Sequence, residues 1–83
     1  MKLVYFAWVR ERVGRAEETV TLPSGIATVA DLVTWLRSRG EEYAYAFENE
    51  GVVRVAIDKV HAKPHSPIAG AGEIAFFPPM TGG

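Results

Sequence analysis

Cysteine is absent from this 83-residue sequence, which excludes disulfides, thiolate metal ligands and a cysteine nucleophile. Because nothing in the chain needs an oxidising compartment, we expect a cytoplasmic protein. An excess of positive charge is also missing, since 9 basic residues stand against 10 acidic ones and the formal net charge is −1. A chain without a basic stripe binds phosphate backbones poorly, so nucleic acid is not an expected partner.

Long hydrophobic runs are missing as well. The most apolar stretch, residues 3–9, is far too short to span a bilayer, so we expect no membrane partner. The chain has no internal repeat, low-complexity segment or linker. With 48% hydrophobic and 23% charged residues, its composition is typical of one small globular domain.

A conventional active site is not visible either. His61 and His65 lie in a proline-containing segment without a neighbouring acid, so we expect no metal site. Glu17 and Glu18 are interpreted as solvated carboxylates. Residues 70–72 contain two glycines, but no helix follows them as a phosphate-binding loop requires. The sequence therefore does not describe a self-contained enzyme, and we expect no cofactor bound by this chain.

The apolar pattern that is present predicts alternating secondary-structure elements. Val29, Leu32 and Leu36 share one helical face, and Thr28 with Asp31 resembles a capping box. Gly40 is predicted to follow that helix at the C′ position, residues 10–16 a turn or short helical connection, and residues 58–59 a tight turn. The predicted strands are residues 3–9, 17–22 (with Val20 and Leu22 inward), 52–57, 60–62 and 73–77. The predicted helices are residues 28–39 and 41–48.

This order predicts an α+β fold of the ubiquitin-like β-grasp type, with a mixed sheet of four to five strands and one main helix packed on one face. The expected domain is residues 1–77, followed by a flexible Gly-Gly tail at residues 78–83. Because strand neighbours point to opposite faces, Phe76 and Phe77 cannot both lie under the helix, and the same holds for Tyr5 and Phe6. The aromatic patch left over predicts a partner surface, unless the second short helix or a loop covers it.

The last six residues are the most informative segment. Gly82 and Gly83 form the thinnest possible backbone and end in a carboxylate, so they can enter a narrow channel in another protein. Pro78 and Pro79 fix the direction of the tail and reduce the entropy lost on docking. A carboxylate reacts as an acyl donor only after activation, for example as an acyl-adenylate. The alternative is a frayed terminus that happens to end in two glycines.

Residues 75–83, Ala-Phe-Phe-Pro-Pro-Met-Thr-Gly-Gly, match an ending that is specific to one family, and the opening Tyr5-Phe6-Ala7 with Arg10-Glu11 is similar to its start. On these motifs the chain resembles the MoaD/ThiS sulfur-carrier family, and within it the small subunits of molybdopterin synthase. Asp58, Lys59 and His61 depart from that pattern, which often has Asn-Gln and then an apolar residue.

The resemblance implies that an E1-like adenylyltransferase activates the carboxylate of Gly83 with ATP and that a thiocarboxylate forms there. It further implies docking on the large subunit of molybdopterin synthase in a heterotetramer, with sulfur passing to a cyclic pyranopterin precursor to build the dithiolene. This chain would then be a non-catalytic sulfur donor. The implied site residues are Gly83 as sulfur carrier, Gly82, Thr81 and Met80 in tail insertion, and Phe77, Phe6, Pro78 and Pro79 in partner binding.

Three alternatives remain open at this point. One is a sulfur carrier for thiamin thiazole synthesis. Another is a ubiquitin-like modifier joined to target lysines by an isopeptide bond. The last is a plain β-grasp interaction module whose tail has no chemical role.

Overall fold

A computed structural model describes residues 1–49 and 51–79 of the chain. The described chain contains five strands and three helices, and its last strand leads into Pro78 and Pro79. The strands are β1 (Lys2–Tyr5), β2 (Glu17–Thr19), β3 (Arg54–Ile57), β4 (Val60–Ala62) and β5 (Glu73–Phe77), and the helices are α1 (Ala7–Val13), α2 (Val29–Arg37) and α3 (Glu41–Ala46).

The five strands form one mixed sheet in the order β2-β1-β5-β3-β4. The central pair β1 and β5 is parallel, and the other neighbours are antiparallel. Side chains from one sheet face share a single core cluster with residues of all three helices, so the helices lie on that face. This two-layer arrangement confirms the predicted ubiquitin-like β-grasp with a five-stranded mixed sheet. The boundary between domain and tail at residue 77 stays a prediction.

The prediction of a strand over residues 3–9 is wrong beyond Tyr5. The chain leaves β1 at Phe6 and enters α1 at Ala7, where the expected strand should have continued. Val9 and Val13, one helical turn apart, are both buried against the core. A short apolar run fits a strand and a buried helical face equally well, and here packing decides for the helix.

The predicted strands over residues 17–22 and 52–57 are shorter in the structure, because the strands that pair with them extend no further. β2 ends at Thr19. Its pairing with β1 ends there too, with a hydrogen bond from the Val20 N–H to the Met1 carbonyl. β3 begins at Arg54 rather than at residue 52, since its register partner Phe77 is the last residue of β5 before Pro78. Proline has no N–H to extend the ladder. Val20 is buried and Leu22 half-buried, as their inward parity predicted.

The main helix forms where its sequence pattern placed it. The Asp31 N–H donates to Thr28 Oγ1 at 3.2 Å, and the Thr28 N–H donates back to Asp31 Oδ2 at 3.1 Å, so the predicted capping box is confirmed. Backbone hydrogen bonds from Ala27 and Thr28 lower the pKa of the Asp31 carboxyl below its usual range. The placement of Gly40 at C′ is wrong: its φ of 169° is extended, and it caps the start of α3.

The hairpin between β3 and β4 turns at Asp58 and Lys59, as predicted, and both have positive φ, 46° and 70°. Asp58 Oδ1 accepts hydrogen bonds from the backbone N–H groups of Gly72 at 3.1 Å and Glu73 at 2.9 Å. The aspartate therefore fastens the hairpin to the start of β5. Within residues 1–49 and 51–79, no helix has the length and apolar character needed to cross a membrane.

Candidate functional site

The two phenylalanines of β5 point to opposite faces of the sheet, as strand parity requires. Phe76 is 0% exposed and stacks against Tyr5, with ring centroids 5.8 Å apart. Phe77 is half-buried on the other face, where it meets the His61 ring edge-on at 5.5 Å. The structure thus shows that Phe77 is the one that faces away from the helices, which the sequence pattern alone left open.

We call the sheet surface opposite the helices the outer face. Register aligns Val4, Ala75 and Ala56 across its middle, with Arg54 beside Phe77 at one end. Ala56 is buried although it does not belong to the core cluster under the helices. Helix α3 contacts α1 and α2 and therefore does not cover this surface. The outer face is formed by Lys2, Val4, Glu17, Thr19, Arg54, Ala56, His61, Glu73, Ala75 and Phe77.

The chain leaves the sheet after Phe77, at the end of the outer face where Phe77 and Arg54 lie. Because β1 and β5 are parallel, their last residues lie side by side, and the Phe6 N–H donates to the Phe76 carbonyl at 3.0 Å. Phe6 is 49% exposed, since it caps α1 instead of continuing β1. Pro78 and Pro79 are half-buried just beyond Phe77. The fold therefore gathers these four predicted partner contacts at one end of the sheet.

The remaining predicted site residues are Met80, Thr81, Gly82 and Gly83. They lie outside the described residues. The described chain leads towards them from β5 through two prolines, directly beside the exposed Phe6.

Comparison with protein families decides the identification of this domain. The profile of the ThiS family matches residues 3–83, which is nearly the whole chain. The chain belongs to the ThiS family. Its predicted membership of the MoaD/ThiS sulfur carriers is thus confirmed.

Curated relatives of this ThiS-family chain align over its full length. The molybdopterin synthase sulfur carrier subunit of Haemophilus influenzae is 34% identical, and that of Escherichia coli is 31% identical; each alignment covers 100% of this chain and 99% of the relative. The similarity therefore extends from the first strand through the C-terminal glycines.

Solved structures agree with the fold. A putative molybdopterin converting factor subunit 1 from Pyrococcus furiosus superposes with a TM-score of 0.73 at 28% identity, covering 95% of each chain. SAMP1 from Haloferax volcanii superposes with the same TM-score at 26% identity, covering 100% of this chain and 98% of that one.

A buried carboxylate network in this ThiS-family domain was not predicted. The Glu18 side chain is only 7% exposed, so its interpretation as a solvated carboxylate is wrong. Its oxygens accept hydrogen bonds from Tyr43 Oη at 2.6 Å, Tyr5 Oη at 2.8 Å and Arg39 Nη1 at 3.0 Å, and Arg15 Nη1 lies 3.4 Å away. Glu18 shares the parity of the inward Val20, and this signal could have placed it under the helices.

The network fixes the ionisation of its members. Burial alone would raise the pKa of Glu18, but the hydrogen bonds from Tyr43, Tyr5 and Arg39 outweigh it, so the pKa lies below the ordinary value of 4.5. Burial and the neighbouring carboxylate raise the pKa of both tyrosine hydroxyls. The carboxylate is therefore ionised and the tyrosines protonated at neutral pH, and the network ties β1 and β2 to α3.

We expect Glu18→Gln to lower the free energy of unfolding at pH 7 by about 2 kcal/mol, because the buried group that accepts from Tyr5, Tyr43 and Arg39 loses its charge. The matched control Glu17→Gln should cost less than about 0.5 kcal/mol, since the Glu17 side chain is 59% exposed and pairs with the exposed Lys2. Chemical denaturation measures both. Equal effects of the two substitutions would contradict this role of Glu18.

The sign of the pH dependence follows from the lowered pKa of Glu18. A carboxyl whose folded pKa lies below its unfolded value stabilises the fold above the unfolded pKa, and this contribution is lost as the pH falls through the folded pKa. The difference in stability between the wild type and Glu18→Gln should therefore shrink in acid.

In the described part of the chain, neither the histidines nor the groove beside α2 offers a catalytic constellation. His61 and His65 are exposed, and in the described part of the chain no three metal-ligating side chains converge. The groove, about 280 Å³, lies between α2 and the β3–β4 edge. Among residues 1–49 and 51–79, no Asp, Glu, His, Ser or Thr lines it; the described walls are Val29, Ala30, Val33, Phe47, Asn49, Gly51, Val53, Arg54, Val55, Ala62, Lys63 and Pro64. The contact of His61 with Phe77 was missed, because sequence does not reveal cross-strand register.

Proposed function

We propose that this chain is the sulfur carrier subunit of a molybdopterin synthase and that its C-terminal glycine carries the sulfur. The observation that carries the proposal is the full-length similarity, at 34% and 31% identity, to two relatives named molybdopterin synthase sulfur carrier subunit. The exposed end of the outer face beside the chain's exit supports it, since a carrier must dock and present its tail at the same time.

The proposed chemistry takes place at the carboxylate of Gly83. A carboxylate oxygen attacks the α-phosphorus of ATP on an E1-like adenylyltransferase and displaces pyrophosphate. Hydrosulfide, supplied ultimately from cysteine, then attacks the acyl carbon and displaces AMP, and loss of its proton leaves a thiocarboxylate. Because the chain has no cysteine, the sulfur cannot be bound as a persulfide on a side chain and is carried on the terminal carbonyl carbon.

Sulfur delivery then occurs in complex with the large subunit. Phe77, Phe6, Pro78 and Pro79 form the proposed contact surface, with two exposed or half-buried aromatics at its centre. Met80 and Thr81 line the insertion path, and Gly82 is the spacer that lets the tail pass a narrow channel. Two transfers to a cyclic pyranopterin precursor complete the dithiolene, with catalytic side chains contributed by the large subunit of a heterotetramer.

A second candidate function is that of a ubiquitin-like protein modifier. It is favoured by the structural similarity to SAMP1, whose other crystal structure is described as small archaeal modifier protein 1. It would use the same activation of Gly83 but end in an isopeptide bond to a lysine. Sulfur delivery to thiamin thiazole is the third use of the same thiocarboxylate.

Genetic complementation separates these functions. In a bacterial strain that lacks its own molybdopterin synthase small subunit, we expect this chain, expressed with its cognate large subunit and activating enzyme, to restore molybdoenzyme activity. In a strain that lacks its thiazole sulfur carrier, we expect no growth without thiamin. Rescue of the thiamin strain alone, or lysine-linked adducts of Gly83 without molybdoenzyme activity, would contradict the proposal.

A further inference from the structure

The outer face is not uniformly apolar at the end where Phe77 lies. Arg54 is the register partner of Phe77 on β3, and His61 on β4 is the register partner of Ala56, the next outer-face residue of β3. The His61 ring meets the Phe77 ring edge-on, with an interplanar angle of 87°. Arg54 and His61 are both exposed, so they flank the aromatic that is proposed to contact the partner.

Several other cations on this domain have counter-charges. Lys2 lies 3.3 Å from Glu17, Arg12 lies 3.4 Å from Glu48, and Arg39 lies 3.0 Å from Glu18. Arg54 forms no ion pair or side-chain hydrogen bond with any of residues 1–49 and 51–79.

Of the two outer-face carboxylates, Glu17 lies on the edge strand β2, three strands from β3, where it pairs with Lys2, and Glu73 lies at the end opposite Phe77. Glu73 begins β5 and is aligned with Lys2 on β1, whereas Phe77 ends β5. A five-residue strand separates the two ends by roughly 13 Å, which exceeds the screening length in physiological salt. The end of the outer face around Phe77 therefore carries local positive charge, although the whole chain has a net charge of −1.

A partner that covers Phe77 must also cover the guanidinium beside it. Taking a charged group out of water without a compensating partner costs free energy, and this cost would weaken the complex. A guanidinium is compensated best by a carboxylate, whose two oxygens match its planar fork of donors. The position of Arg54 therefore restricts which proteins can dock on Phe77.

We propose that the large subunit presents a carboxylate to Arg54 and that this ion pair, next to the Phe77–His61 ring contact, selects the partner of the outer face. The proposal rests on the proposed function, and it adds the charge that the large subunit must bring to the interface. Arg54 is a specificity residue in this role, because it touches neither the tail nor the transferred sulfur.

The test is a binding titration between the full chain and the purified large subunit from the same genome. We expect Arg54→Glu to weaken the affinity by about tenfold or more, because a carboxylate then faces a carboxylate. Arg54→Lys should recover part of the loss through its charge, without the bidentate geometry. Lys59→Glu is the matched control: it changes the net charge equally, but the exposed Lys59 lies in the β3–β4 turn, at the end of β3 opposite Arg54, and the affinity should change less than about threefold.

The salt dependence of binding distinguishes an ion pair from a purely structural role of Arg54, because only the ion pair is screened by salt. Raising the salt concentration from about 50 to about 500 mM should weaken binding of the wild type more than binding of Arg54→Ala, because screening acts on the ion pair that the variant lacks. Thermal unfolding of each variant checks that the fold is unchanged.

The two proposals fail in distinguishable ways. If Arg54→Glu binds as the wild type does and the salt slopes of wild type and Arg54→Ala coincide, the inference about Arg54 is overturned and the proposed function stands. If the wild type itself does not bind the large subunit, both are overturned.

Discussion

Phe77→Ala is expected to weaken binding of the large subunit by about 2 kcal/mol or more, roughly 30-fold, with little change in stability. Phe77 is half-buried on the outer face and is not a member of the core cluster. Phe77 ends β5, and the carbonyl of the preceding Phe76 accepts a hydrogen bond from the Phe6 N–H at 3.0 Å. Aromatic residues at the centre of a docking surface contribute most of the binding free energy, so truncation of this ring should act on affinity.

The neighbouring residue provides a matched control. Phe76→Ala removes a ring that is 0% exposed and packs at 5.8 Å from Tyr5 and 5.1 Å from Phe47, so it should lower the free energy of unfolding by about 3–5 kcal/mol. Calorimetric binding and chemical denaturation of both variants separate the two effects. If Phe77→Ala destabilised the fold as strongly as Phe76→Ala, or left binding unchanged, the assignment of the outer face as docking surface would be wrong.

Much of this architecture could be predicted because local rules determine it. The capping box of Thr28 and Asp31 and the repeat of Val29, Leu32 and Leu36 depend on neighbours within two helical turns. Strand β5 was predicted to the residue, since proline stops the ladder after Phe77. The separation of Phe76 and Phe77 onto two faces needs only the two-residue period of a strand.

The elements that were mispredicted depend on what packs against them. Residues 6–9 are apolar in either conformation, and α1 is chosen because Val9 and Val13 fill the space under the sheet beside α3. Gly40 was assigned to the end of α2, but α3 begins at the next residue and Gly40 is its N-cap. In both cases a neighbouring helix, which no local window contains, decides the outcome.

Cross-strand register explains the rest of what the sequence did not reveal. Glu18 is buried because β1 aligns it with Leu3, which places it beside the hydroxyls of Tyr5 and Tyr43. Arg54 flanks Phe77 because β3 and β5 pair in one particular register. Such pairings join residues far apart in sequence, and the alternation of polar and apolar residues gives the face of a side chain but not its neighbours.

Deletion of Gly83, or addition of one residue after it, is expected to abolish molybdopterin formation while the fold remains intact. Within the described residues, the cluster of buried core residues extends from Leu3 to Phe76, and neither change alters a member of it. Either change moves the reactive carboxylate by the length of one residue, about 3.5 Å, and loss of an aligned geometry of this size removes most of the rate. Product analysis with the large subunit and the precursor measures the effect, and retained activity of either variant would contradict it.

The most direct test is the intact mass of the chain after incubation with its activating enzyme, ATP and a sulfur source. The account predicts the mass gain of one oxygen replaced by sulfur, located at Gly83 by fragmentation, and no gain for the variant that lacks Gly83. An unchanged mass, under conditions that charge an established carrier, or sulfur found anywhere other than at Gly83, would contradict the central claim that this chain is the substrate on which sulfur travels.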